Sequence, residues 1–493
     1  MKKVRKAAAL ALVAATAITA AGCGGGGRQQ GAAGGTTASA ESDPNSTTTP
    51  AATNDTDENV QAAVQEVEVD TTIKVDKKLK WLSWWKIDET SATCELFKAK
   101  YGIPEEGDAS YGDAANDIFV FTNVAYADRY DKLGQMVSSG DSPDMFEFEI
   151  CYFPLSAYKG MFKSIDGVID TNAPEWSATR KDMDKFMWGG KNYCAITEVN
   201  PTGYWWYKKS TITEAGFEDP YELYKQGKWD WDVFLDMADK FQQTGENKFA
   251  IDGWSVSEDL VATTGKPLVS IENGILVYNG MTAEVERGMA LAEKLCTENY
   301  RYDRAGLNSW QINYDAWANG DTLFFDEGAW FWTDKMYKYK KKYEWADDEV
   351  WFVPTPRDPS ADAYYLAMKQ DAYMWCGGST NEAGFRAWNE CVLATSKDQS
   401  VRQAQREKDK RDYLYTDQML DLIEEYRTGF ESVWDFKNGI STAAANTSSM
   451  EASPVESLLK IPYVTGTESF LQLRSEKDGE ISTAIEEMNA SVS

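Results

Sequence analysis

The chain contains no histidine among its 493 residues. That excludes Ser-His-Asp and Cys-His catalysis, and zinc sites built on imidazole. Cysteine is sparse, with seven residues and no Cys-x-x-Cys pair, so a zinc ribbon or a thioredoxin-like redox site is not expected. Positive charge is in short supply: 50 Lys and Arg stand against 79 Asp and Glu, for a net charge of −29. Nucleic acid and other polyanions would be repelled by such a surface. No later apolar run is long enough to cross a bilayer, and no internal repeat is present. Between Gly24 and Asp70 there is no aromatic residue at all.

What is present begins with Lys2, Lys3, Arg5 and Lys6, followed by a mostly apolar run from Ala7 to Ala21 and small residues leading to Cys23. This is the layout of a secretory signal. Ala20-Ala21-Gly22-Cys23 resembles the lipobox of bacterial lipoproteins, with Ala20 where that family usually has Leu. The resemblance implies cleavage before Cys23 and acylation of its thiol. Residues 23–70 then form a polar leash, too poor in apolar surface to repay its ordering entropy, with a coil span of roughly 40 Å. A short helix is expected near Asn59 to Glu68. Asp55, Asp57, Asn59 and Glu66 match some calcium-loop positions, but Val60 stands where the sharp turn needs Gly, so no calcium loop is assigned.

Six cysteines remain after Cys23, mostly in apolar runs such as Asn192-Tyr193-Cys194-Ala195-Ile196. They read as small core residues kept as thiols. Aromatics are plentiful: 19 Trp, 25 Tyr and 20 Phe. Such rings build cores, and they also stack on the apolar faces of sugars, so position must decide between the two roles.

Leu79 to Trp85, Asp117 to Thr122 and Met145 to Glu149 have strand character. Helical stretches intervene at Ser91 to Tyr101 and Tyr126 to Val137, closed by Gly102 and Gly140. That alternation predicts a parallel α/β sheet, with ligands at the carboxyl ends of its strands. Further helices are expected at Asp230 to Gln243, Glu284 to Asn299, Trp310 to Asn319, Glu382 to Thr395, Arg402 to Tyr426 and Gly479 to Asn489.

The order of these segments resembles the extracellular solute-binding proteins of carbohydrate ABC importers, the group that includes maltose-binding protein. Gly140-Asp141-Ser142-Pro143-Asp144 is similar to the family's Gly-x-x-Pro-Asp signature. Gly190-Lys191-Asn192-Tyr193, Trp206-Tyr207-Lys208-Lys209, Asp219-Pro220 with Trp229 to Phe234, Gly320 to Trp330, and Phe352-Val353-Pro354-Thr355-Pro356 follow in the family's order. Departures are Lys208 in place of the usual Asn, Ile196 in place of Pro, and Phe325 in place of Met. The resemblance implies a two-lobed periplasmic-binding-protein-like α/β fold of type II. Lobe one would be 71–199 plus 372–428, and lobe two 200–371 plus 429–493. It implies a monomeric, extracytoplasmic, non-enzymatic receptor without a cofactor. This receptor would be anchored to the membrane, capture a sugar or oligosaccharide, and deliver it to ABC permease subunits.

On that reading one of Trp84 and Trp85 walls the sugar site and the other is core. Glu149 and Tyr152 follow the third strand. Glu198, Asn200 and Tyr204 lie at the crossover, Trp254 follows a strand of lobe two, and Trp330 and Trp434 are further stacking platforms. Trp231 and Trp388 read as core. A lipid-anchored glycoside hydrolase using a carboxylate pair from Glu147, Glu149 and Glu198 is the competing class. A binding protein for a non-sugar neutral solute is a third option. The lipobox reading makes a direct prediction: Cys23→Ser expressed in a bacterial host releases the protein or leaves its signal uncleaved. Firm membrane association with full processing in that mutant would refute it.

Overall fold

The computed structural model describes residues 57–87, 89–102, 118–147, 152–303, 312–446 and 450–492. Cys23, most of the leash and Glu149 lie outside the described residues. The strands, in chain order, are β1 (Leu79–Ser83), β2 (Phe119–Asn123), β3 (Met145–Glu147), β4 (Glu198–Pro201), β5 (Tyr204–Lys208), β6 (Phe249–Gly253), β7 (Val269–Glu272), β8 (Ile275–Tyr278), β9 (Thr322–Glu327), β10 (Val350–Val353), β11 (Tyr365–Asp371), β12 (Tyr373–Trp375) and β13 (Glu431–Val433).

Lobe one is built on the sheet β12-β3-β1-β2, in which β1 pairs in parallel with β2 and β3, and β12 runs antiparallel to β3. Helix α1 (Glu58–Gln65) opens the fold, capped by Asp57. Its Val60 and Val64 are buried, and it packs on α2 (Ala92–Tyr101). The fold therefore starts before the boundary expected at residue 70: two valines spaced four apart give this short helix a face to bury. Helix α3 (Arg129–Ser139) ends at Gly140, whose left-handed φ of 80° suits glycine.

Asp144, from the Pro-Asp signature, ties this lobe together. Its carboxylate accepts from the Lys80 amide at 2.9 Å, Ser379 Oγ at 2.7 Å and Asn381 Nδ2 at 3.1 Å. Burial pushes the Asp144 carboxyl up, and those three donors pull it down.

Lobe two holds the sheet β10-β5-β9-β6. Tyr204 to Tyr207 of β5 are wholly buried, because both faces of this central strand are covered. Helix α4 (Val256–Ala262) follows β6. Between the lobes, β11 pairs antiparallel with β4 and in parallel with β13. Asp371 stands opposite Glu198 in that register.

Helix α5 (Glu382–Lys397) packs on α2. The single helix expected from Arg402 to Tyr426 is two: α6 (Gln399–Tyr413) and α7 (Asp417–Thr428). The break is at Leu414, in left-handed conformation at φ 59°, after which Thr416 caps α7 by accepting from the Met419 amide at 3.2 Å. The hairpin is not confined to lobe one. Helix α6 packs on α1 and α5, whereas α7 lies on β4, with Tyr426 against Tyr204 and Phe352 of lobe two at 5.8 Å each. At its tip the Tyr413 carbonyl accepts from Trp332 Nε1 at 2.8 Å.

Cys194, Cys376 and Cys391 are buried, unbridged thiols, and burial pushes all three up in pKa. Alkylation of the native protein followed by mass spectrometry should leave these three unmodified. Alkylation in denaturant without reductant should label them all. Disulfide-linked peptides containing any of them would contradict this structure.

Candidate functional site

Consecutive residues leaving a strand point to opposite faces, and Trp84 and Trp85 do so at the end of β1. Trp84 stands edge-on to Tyr126 at 5.2 Å, with the Arg129 guanidinium 5.5 Å from its ring. Tyr152 joins the same aromatic group, stacked on Tyr130 at 4.1 Å, and its hydroxyl accepts from Lys159 Nζ at 3.0 Å. Trp85 turns the other way. It is edge-on to Trp81 at 5.1 Å, and its Nε1 donates to Glu147 Oε2 at 2.5 Å.

Trp85 and Glu147 line a cavity of about 730 Å³, within the size range of ligand sites. Its other walls are helices α2 and α5, through Thr93 and Thr395, the crossing strands, through Glu198 and Asp371, Tyr373 of β12, and the α6–α7 hairpin, through Arg402, Arg406, Asp409, Glu424 and Arg427. Arg427 organises the hinge side. Its Nε donates to Asn200 Oδ1 at 2.7 Å, and its terminal nitrogens pair with Glu424 at 3.2 Å and Glu198 at 3.4 Å. Asn200 Nδ2 in turn donates to Asp371 Oδ2 at 3.2 Å, linking the two crossing strands.

Burial raises the Glu198 carboxyl. Arg427 offsets part of that rise, while Asp371 and Glu424 add to it. Burial also pushes Asp409 up to about 6. Burial works the same way on Glu424, but Arg402 at 2.5 Å and Arg427 hold it below the usual carboxylate range. Among the described residues no cluster of three His, Cys, Asp or Glu is arranged to hold a metal ion, and no helix is long and apolar enough to cross a membrane.

A second group forms where β6 and β9 end and β5 begins. Trp254 follows β6, and its carbonyl accepts from Lys460 Nζ at 2.5 Å. Trp330 is half-buried and lies over Gly328, where a Cβ would come within 2.8 Å of its ring. Nearby, Asp259 of α4 and Asp326 of β9 are buried. Thr202 Oγ1 donates to Asp259 Oδ1 at 2.8 Å. Both carboxyls press on the Cα of Gly203, where any side chain would collide with them. Burial, then mutual repulsion and the Glu327 charge, push Asp326 well up, and burial does the same to Asp259.

The predicted residues thus divide. Trp85 and Glu198 line one cavity, and Asn200 orders its hinge wall. Trp84 with Tyr152, and Trp254 with Trp330, stand in two other groups. Tyr204 is fully buried in lobe two, 5.1 Å from Phe352. Trp434 is buried against Phe186 at 4.9 Å, with its Nε1 donating to Asp182 at 3.0 Å. Sequence reasoning missed Asp371, Tyr373, Arg402, Asp409 and Arg427. The charged run in α6 reads as a solvated face until the hairpin is folded back on the hinge.

No protein-family model matches the sequence, and no curated protein matches it by sequence. Solved structures do match. The GacH receptor of Streptomyces glaucescens GLA.O, solved unliganded and with acarbose and an acarbose homologue, aligns over 84% of this chain and 99% of its own, at 13% identity and TM-score 0.58. The ABC substrate-binding protein Lmo0181 of Listeria monocytogenes, in complex with cycloalternan, aligns over 83% and 99%, at 15% identity and TM-score 0.57. An ABC transporter solute-binding protein of Thermotoga lettingae TMO, bound with α-D-tagatose, aligns over 85% and 100%, at 14% identity and TM-score 0.54. At these identities the likeness establishes the fold, which is the two-lobed α/β architecture of type II solute-binding proteins.

The carboxyl pair has a consequence for stability. A carboxyl whose folded pKa lies above its unfolded one stabilises the fold in acid and loses that contribution as pH rises through the folded value. Asp259 is raised to about 7 and Asp326 is raised too, so calorimetric midpoints should fall as pH rises from about 4 through about 7. Asp326→Asn, which removes one of the two charges, should flatten that decline. An unchanged slope in the mutant would show that Asp326 does not contribute to it.

Proposed function

We propose that this chain is an extracytoplasmic solute-binding protein of an ABC importer that captures a sugar or oligosaccharide at its hinge, tethered to the membrane through Cys23. The observation that carries the reading is the cavity of about 730 Å³ that joins an indole at a strand end, Trp85, to a carboxylate on a crossing strand, Glu198. An aromatic face suits the apolar face of a sugar ring, and carboxylates and guanidinium groups bind hydroxyls through charge-assisted bonds. The solved proteins of this fold described above hold acarbose, cycloalternan and tagatose, which supports a carbohydrate.

Its position at the hinge also suits a receptor. A ligand that touches lobe one, the crossing strands and α7 favours one lobe orientation by its differential affinity for it. Trp330 and Trp254, at strand ends of lobe two, would meet the ligand as the lobes close. A permease would then read the closed form.

Hydrolysis is the second reading, because Glu147 and Glu198 line the same cavity and burial raises Glu198. A reducing-end assay on oligosaccharides incubated with the protein separates the two. Release of new reducing ends would favour the hydrolase, and intact ligand recovered from the complex would favour the receptor.

Titration calorimetry against a carbohydrate panel should identify a ligand. Trp85→Ala should then cost about 1–3 kcal/mol of binding, the scale of a central aromatic anchor, with circular dichroism unchanged. Undiminished affinity in Trp85→Ala would place the ligand elsewhere.

A further inference from the structure

Acidic residues outnumber basic ones in this chain, yet Lys335, Lys338, Lys340, Lys341 and Lys342 crowd into one stretch of lobe two. That stretch holds the short helix Tyr337–Tyr343. Lys340 is buried and pairs with Asp347 at 2.6 Å. Lys338, Lys341 and Lys342 are exposed, and none of them has an acidic partner among the described residues. At about 100° per residue these three share one face of the helix, with Tyr337 on one side of it and Tyr339 and Tyr343 on the other. The lysines lie against those rings. Lys338 and Lys341 Nζ stand 5.5 and 5.4 Å from the centre of Tyr337, and Lys342 Nζ stands 4.5 Å from that of Tyr343. Tyr343 stacks in turn on Trp345 at 5.5 Å. The nearby acids Glu344, Asp347 and Asp348 come after the helix has ended.

This face also lies beside the point where the N-terminal segment joins the body. The chain leading from Cys23 enters the described structure at Asp57, which pairs with Arg411 at 2.7 Å. Two residues further along α6, Tyr413 stands edge-on to Tyr337 at 5.5 Å, and its carbonyl accepts from Trp332 Nε1. The entry of the N-terminal segment and the lysine face therefore adjoin the same hairpin tip.

We propose that the exposed face of the helix Tyr337–Tyr343 docks on anionic lipid headgroups of the membrane that holds the N-terminus. The inference rests on the tether reading above and adds to it a fixed orientation of the body. Clustered lysines are drawn to an anionic lipid surface. Tyrosine and tryptophan favour the headgroup layer, where one end of the ring is apolar and the other is wet. The net negative charge of the chain does not cancel this attraction, because charges beyond about 8 Å are screened at physiological salt. An acidic face brought equally close would be repelled, so the lysine face is the one selected.

The test follows backbone hydrogen exchange by mass spectrometry on the full chain carrying Cys23→Ser, which removes the thiol that would be acylated. Vesicles of phosphatidylcholine are added, with or without phosphatidylglycerol. Amides of residues 337–345 should be protected by the mixed vesicles and not by phosphatidylcholine alone, and raised salt should abolish the protection. Lys338→Glu, Lys341→Glu and Lys342→Glu together should raise the vesicle concentration for half-protection at least about tenfold, because each lysine contributes about fivefold. Arginine at the same three positions should preserve it, with circular dichroism unchanged in both variants. Equal protection by both kinds of vesicle, no protection by either, or protection that survives the three charge reversals would overturn this inference and leave the tether standing. Protection by soluble polyglutamate but not by vesicles would assign the face to an acidic protein and overturn it as well. Protection by the mixed vesicles, with a Cys23→Ser chain that stays processed and membrane-bound in cells, would uphold the docking face and refute the tether.

Discussion

The geometry of both lobes rests on how two short strands cross between them. β4 and β11 pair over only four residues each, too little to fix an orientation by backbone hydrogen bonds alone. The polar chain Glu424–Arg427–Asn200–Asp371 reinforces that crossing, because it joins α7 to β4 and β4 to β11. A charged pair in a half-buried setting loses in desolvation much of what it gains in attraction. Its value here is directional, since a planar guanidinium with several fixed donors accepts few other arrangements. The site follows from this, because the same residues that fix the crossing also wall the cavity.

Much of the fold is legible in the residues themselves. Strand and helix alternate through lobe one where the sequence says they should. The Asp144 of the Pro-Asp signature is a buried junction that ties three segments of lobe one together. The helix caps at Ser91, Asp230 and Thr416 are side chains of the kind that accept from a helix N-terminus. What stayed hidden was the turn at Leu414, which lacks the Gly or Pro that would announce it. The left-handed residue there is held by packing of the tip on Trp332 and by the cap that follows.

The site was legible in part, and the reason is a difference between local and distant information. A strand end tells which residues leave the sheet, so Trp84, Trp85, Trp254 and Trp330 can be named as strand-end aromatics. It does not tell which face a neighbouring element will cover. Trp85 was left open to the cavity, while Trp84 was taken into the group around Arg129. Tyr204 and Trp434 sit where elements from far along the chain, α7 and the segment around Phe186, close over them. The cavity's charged wall comes from α6 and α7, about 200 residues beyond β4, and no spacing rule reaches that far.

The cap of α1 has a mechanical side. The buried carboxylate of Asp57 receives the Asn59 and Val60 amides and the Arg411 guanidinium at 2.7 Å, so the first described residue is bolted to both α1 and α6. Any force transmitted along the chain from upstream of Asp57 enters the molecule at lobe one and at the lobe-one arm of the hairpin. On the receptor reading proposed above, a turn of the hinge would sweep lobe two past a tethered N-terminus, and α7, packed on lobe two through Tyr426, would be the part of the hairpin to slide.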